Sequence, residues 1–172
     1  CMNQEHIIYY SQNLQKFYFH LSPGISATLK IPSWMAMLLI ISGDIERNPG
    51  PEINDKPDLV VVTQNCRGLN EPKKLRDLLN KLCKKVKGID TYIIMLQETM
   101  LTSSTLLKYM WRGQFVFTPG AGNARGCISL CPNDCIITNT HIVSERGHIF
   151  KVKFHQLVDT ITAVNLYAPT TK

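Results

Sequence analysis

The chain has no apolar run long enough to cross a bilayer. The stretch at residues 34–41 is the candidate, and it falls well short of the roughly 18 residues that a membrane helix needs. It also lies too far from the start to be a signal peptide, so no membrane partner is expected. A disulfide framework is missing too: the six cysteines are unevenly spread, as expected of reduced thiols in an intracellular protein. Cys127, Cys131, Cys135 and His141 do not match a common zinc finger, whose cysteines pair about two to four residues apart. A Pro132-Asn133-Asp134 turn between strands accounts for that region better. The first 50 residues carry no net charge, because Lys16, Lys30 and Arg47 balance Glu5, Asp44 and Glu46. The whole excess of +6 therefore lies after Pro51, and a basic globular part suggests a polyanionic partner.

What is present is room for one domain of ordinary size plus a tail in 172 residues. The chain opens on Cys1 and stops at Lys172 in mid-pattern, so a piece of a longer reading frame is expected. Residues 1–33 keep neither the helical nor the strand period, which predicts an irregular leader. The eight residues Asp44-Ile45-Glu46-Arg47-Asn48-Pro49-Gly50-Pro51 divide leader from domain. Each proline fixes φ and bars its predecessor from the helical region, and Gly50 between them can take positive φ. Any regular structure entering from residues 34–41 must end there.

That octapeptide resembles the 2A-like peptides of viruses and some retrotransposons, whose pattern is Asp-Val/Ile-Glu-x-Asn-Pro-Gly-Pro. Asp44, Glu46, Asn48, Pro49, Gly50 and Pro51 match, with Arg47 at the free position. The apolar run Met35-Ala36-Met37-Leu38-Leu39-Ile40-Ile41 supplies the upstream segment such peptides carry. The resemblance implies ribosome skipping: held in the ribosome exit tunnel, the nascent peptide prevents formation of the Gly50–Pro51 bond. One product would then end at Gly50 and the next begin at Pro51.

After a polar spacer at residues 52–57, the β-branched run Leu59-Val60-Val61-Val62-Thr63 predicts a buried strand. Asn70 or Glu71 can cap the helix that follows, and Pro72 fits its first turn. Leu75, Leu78, Leu79, Leu82 and Val86 share one face of it; Lys73, Lys74, Arg76, Lys81, Lys84, Lys85 and Lys87 crowd the other, and Gly88 closes it. Tyr92-Ile93-Ile94-Met95-Leu96 predicts a second buried strand, and Ser103 or Ser104 caps a short helix reaching Trp111. Strands are then predicted at 114–118, 127–130, 136–140, 148–155 and 160–166, with a flexible loop at 119–126. In 148–155, Ile149, Val152 and Phe154 alternate with lysines, with a phase slip near Phe150. The β-α-β-α order followed by antiparallel strands predicts a mixed α/β sandwich with loops gathered at one edge.

Polar groups fall at the ends of three predicted core strands: Asn65 in Gln64-Asn65-Cys66-Arg67-Gly68-Leu69, Glu98 in Leu96-Gln97-Glu98-Thr99, and Tyr167 in Asn165-Leu166-Tyr167-Ala168-Pro169. With the strand Arg125-Gly126-Cys127-Ile128-Ser129-Leu130, they resemble in order and spacing the endonuclease/exonuclease/phosphatase superfamily. Within it they are most similar to the endonuclease domains of non-LTR (LINE-type) retrotransposons. The resemblance covers residues 58–172 and implies part of that family's β-sandwich flanked by helices, in the α+β class. It implies that Glu98 holds Mg²⁺ or Mn²⁺, that Asn65 positions metal or phosphate, and that Tyr167 places its hydroxyl near the phosphate. The lysine face of the first helix is more commonly a solvated helix surface; on the functional reading, Arg67, Lys73 and Lys74 would contact nucleic acid.

The expected partner is DNA, nicked in the nucleus to prime a reverse transcriptase encoded downstream. Two departures stand out. Met100 occupies a position where many relatives carry a histidine or basic residue. The family's later motifs, an Asp-x-Asn and an Asp-His pair that activates water, do not occur, so this chain is expected to cleave poorly. The alternatives are a cellular repair nuclease or phosphatase of the same superfamily, and a non-catalytic copy that binds nucleic acid through its basic helix.

Overall fold

The computed structural model describes residues 58–121 and 124–167, and the backbone course of three strands nearer the start. Sheets dominate a mixed α/β architecture. A seven-stranded sheet has the order β3-β2-β1-β4-β5-β7-β6, and a three-stranded sheet has the order β10-β9-β8. The strands are β1 (Glu5–Ser11), β2 (Lys16–His20), β3 (Ser26–Leu29), β4 (Leu59–Asn65), β5 (Tyr92–Gln97), β6 (Gln114–Thr118), β7 (Cys127–Cys131), β8 (Ile136–Ser144), β9 (Gly147–Lys153) and β10 (Ile161–Leu166). The helices are α1 (Pro72–Lys85) and α2 (Thr105–Met110).

The β-branched run of β4 is buried on both faces, and its side chains alternate between two cores. Val60 and Val62 face α1, whose Leu75, Leu79 and Leu82 pack there with Ile94, Leu96, Leu107 and Trp111. Leu59 and Val61 face the second sheet, meeting Phe150, Val152, Phe154 and Ala163. The layers are therefore helices, seven-stranded sheet, three-stranded sheet. Packing rather than capping holds α1. Glu71 stands at its N-cap without a side-chain capping bond. A cap is worth about 1 kcal/mol, whereas each buried leucine contributes roughly 2 kcal/mol.

Three sequence expectations need correction. The leader is not irregular throughout, since residues 5–29 hold three strands, and β1 pairs antiparallel with β4 from Glu5↔Gln64 to Tyr10↔Leu59. These segments are too short to show a period but rich in aromatic and β-branched residues, which favour strands. The side-chain cap expected from Asn70 or Glu71 does not form. No phase slip interrupts β9: His148, Phe150 and Val152 point inward, Ile149 is only half-buried, and Phe154 continues the series beyond the strand. The inward histidine had disguised the period. Residues 34–57, and with them the 2A-like octapeptide, lie outside the described residues.

Candidate functional site

Parallel pairing of β4 with β5 sets their carboxyl ends side by side, with Asn65 opposite Gln97. Glu98 follows directly, and Asn65 Nδ2 donates to Glu98 Oε1 at 2.9 Å. Asn65 Oδ1 meanwhile accepts the backbone N–H of Arg67 at 3.2 Å, closing a tight turn. Tyr167 arrives from the end of β10, its N–H donating to Arg146 O at 2.8 Å. Its hydroxyl comes within reach of Glu98: hydrogen bonding towards that carboxylate first, then desolvation and the negative charge of Glu98, raise the phenol above its ordinary value. Asn65, Glu98 and Tyr167 thus converge, with the Glu98 carboxylate accepting from Asn65 and acting on the nearby Tyr167 phenol.

The backbone at this edge is strained. Arg67, Glu98 and Met100 have φ of 50°, 51° and 58°. Such left-handed non-glycine residues cost of order 1–3 kcal/mol each and persist only where their surroundings over-determine them. Here they do. Cys66 N donates to Gln97 O at 2.8 Å, Gly68 N to Glu98 O at 2.7 Å, Leu69 N to Thr99 O at 2.7 Å and Met100 N to Arg125 O at 2.8 Å. The loop expected to be flexible at 119–126 is pinned at its end: Gly126 N donates to Glu145 O at 2.9 Å, and the Arg125 guanidinium pairs with the Glu145 carboxylate.

Arg67 is exposed in the turn that follows β4, and Lys73 is exposed in the first turn of α1. Lys74 Nζ donates to the carbonyls of Cys66 and Arg67, each at 3.3 Å, so it braces the loop and would have to share itself with any phosphate. Arg146 lies close enough for its charge to act on Tyr167. The thiols of Cys66 and Cys127 are each pushed up to about 12, chiefly by burial, and stay protonated and non-nucleophilic.

Among the described residues no group of three or more His, Cys, Asp and Glu side chains could hold a metal ion. The edge offers one carboxylate, Glu98, flanked by a neutral amide and a phenol. That set does not suit an all-protein cage. It does fit Mg²⁺, which commonly takes one or two carboxylates and fills its other positions with water and phosphate oxygens.

Behind the site runs a buried polar chain. Gln97 Nε2 donates to Thr63 Oγ1 at 3.0 Å and to Asn165 Oδ1 at 2.8 Å. Asn165 Nδ2 donates to Ile128 O at 3.0 Å and to Ser129 Oγ at 3.1 Å. Ser129 Oγ meets His148 Nε2 at 2.8 Å, and His148 Nδ1 meets Thr118 Oγ1 at 2.7 Å. Sequence reasoning placed Gln97 and Asn165 in motifs but gave them no role, and it missed Thr63, Ser129, His148 and Thr118. The available signal was a polar residue in phase with inward apolar ones: His148 with Phe150 and Val152, Asn165 with Ala163.

No protein-family model matches the chain, and no curated protein matches it.

Proposed function

We propose that residues 58–172 form part of a metal-dependent DNA endonuclease domain of the endonuclease/exonuclease/phosphatase type, as in non-LTR retrotransposons. Ahead of it would lie a leader at residues 1–43 and a 2A-like separation site at 44–51. The observation that carries this reading is the convergence of Asn65, Glu98 and Tyr167, drawn from strands distant in sequence, around one carboxylate. Glu98 would hold Mg²⁺ or Mn²⁺, which when bound neutralises phosphate oxygens and orients a nucleophile. Asn65 fixes the carboxylate through its amide. Tyr167 presents a phenol that keeps its proton and can donate to a phosphate oxygen. Arg67, Lys73 and Arg146 add positive charge for the DNA backbone. The downstream reverse transcriptase and a nuclear site of action belong to the same proposal.

A second reading, DNA binding without efficient cleavage, has its own support. Both ring nitrogens of the buried His148 are taken by hydroxyls, so this imidazole is not free to activate water. One experiment separates the two readings. The purified chain is titrated with supercoiled plasmid in Mg²⁺ or Mn²⁺, following retention and nicking together. Metal-dependent retention, weakened at least roughly tenfold in Glu98→Gln by loss of a charged contact, is expected, with little nicking. Robust nicking abolished by Glu98→Ala would establish a complete catalyst. Retention indifferent to both metal and Glu98 would remove the nuclease reading.

A further inference from the structure

The buried polar chain touches six strands, β4, β5, β6, β7, β9 and β10, and so crosses from one sheet to the other. Its links are short, 2.7 to 3.1 Å, and four of its members, Thr118, Ser129, His148 and Asn165, are at most 1% exposed. A buried polar network of this kind is costly when broken and rigid when satisfied. Its two site-facing members are telling. Gln97 immediately precedes Glu98, and Asn165 stands two residues before Tyr167. Glu98 and Tyr167 directly follow strands of different sheets, β5 and β10, so strand register within one sheet does not set their separation. The Gln97–Asn165 bond links the two ends across the sheets, beside the backbone bonds of Tyr167 N to Arg146 O and Gly126 N to Glu145 O, and Asn165 is in turn oriented by Ser129 Oγ and by the carbonyls of Ile128 and Leu96. Ser129 is held by His148, whose neutral ring offers one donor and one acceptor to two hydroxyls that can play either part.

We infer that His148 is a positioning residue: by closing the chain Thr118–His148–Ser129–Asn165–Gln97 it locks the end of β10 to the end of β5 and sets the Tyr167 hydroxyl against the Glu98 carboxylate. Asn65 needs no such help. It reaches Glu98 within one sheet, through the parallel β4–β5 pairing. The inference thus predicts an asymmetry, in which loss of the imidazole frees Tyr167 from Glu98 but leaves Asn65 in place.

The significance of this device rests on the reading of Glu98 and Tyr167 as site residues. Its test uses neither metal nor DNA, so a failed nuclease assay leaves it measurable. NMR on the labelled full chain follows two contacts: Tyr167 ring protons to the Glu98 side chain, and the Asn65 side-chain amide to the same carboxylate. In the unmodified chain both contacts are expected, together with one protonated and one bare nitrogen on His148. In His148→Phe the Tyr167 contact should weaken several-fold while the Asn65 contact stays. Ser129→Ala, a smaller change that breaks the chain one link on, should do the same and decides the matter if the phenylalanine variant does not fold. His148→Gln keeps a donor and an acceptor and should restore part of the contact. Three results overturn the inference: no Tyr167–Glu98 contact in the unmodified chain, both contacts unchanged in the variants, or both lost together, which is what a merely structural histidine would produce.

Discussion

His148 is fully buried, with hydroxyls on both ring nitrogens, and burial lowers its imidazole to about 4 from the ordinary 6.5. The folded state thus binds its proton more weakly than the unfolded state. Its contribution to stability is present above the unfolded value and is lost as pH falls from 6.5 through about 4. Between about pH 7 and about pH 5 the loss should be about 2 kcal/mol, because each pH unit below the unfolded value favours the protonated, unfolded chain by about 1.4 kcal/mol. Urea midpoints across that range check it, with His148→Gln as the variant whose slope flattens; a midpoint that does not move would remove the argument. This residue also marks a limit of sequence reading. Asn65, Glu98 and Tyr167 stand out because a polar group at the end of an apolar strand is conspicuous. His148 stands inside a strand, where a polar residue reads as a break in period until its partners, Thr118 and Ser129 from two other strands, are seen.

At the scale of elements, the candidate edge is built by loops that exchange backbone bonds, and glycine decides whether they can close. Gly126 has φ of +83°, and a Cβ there would meet Thr99 Oγ1 at 2.8 Å and Gly120 N at 3.0 Å. The first contact is tighter than real side chains show, and Thr99 is fully buried, so it has little room to yield. Gly126→Ala should therefore cost about 2 kcal/mol or more, combining left-handed strain with a local clash. Chemical denaturation measures this, and a loss under roughly 0.5 kcal/mol, the scale of an ordinary surface change, would mean the loop relaxes freely. The neighbouring elements were legible for simple reasons. The β4 run, the leucine face of α1 and the β5 run each bury a continuous apolar surface, and the observed bounds of β4 and β5 run only one or two residues past the expected ends. The expected sandwich of mixed α/β class agrees with the structure at the level of two facing sheets with helices on one side. Strand order was not legible, because β7 slots between β5 and β6 through pairings far apart in sequence.

At the scale of the whole molecule, the two halves of the chain make opposite demands. The 2A-like octapeptide would release residues 1–50 and 51–172 as separate products. Yet β1 pairs with β4 along its length, from Tyr10↔Leu59 to Glu5↔Gln64, and β1 carries β2 and β3 with it. If translation separates the halves, β4 loses the partner on one side and becomes an exposed edge unless the leader stays bound. Antiparallel pairing makes the consequence specific, since alternate amides of β4 between Leu59 and Gln64 would lose their acceptors, while pairing to β5 continues on the other side. Two measurements test this in sequence. Translation in a cell-free extract with reporters at both ends should give two products, and Pro51→Ala should convert them to one fusion; a fusion unaffected by that change would end the 2A-like reading. Hydrogen exchange is then compared between the fused chain and the product beginning at Pro51. Faster exchange at alternate β4 amides in the separated product, reversed by adding the leader as a peptide, is the expected outcome. Equal protection in both would show that β1 contributes nothing to the sheet in solution, and that the part after Pro51 folds with β4 as its natural edge.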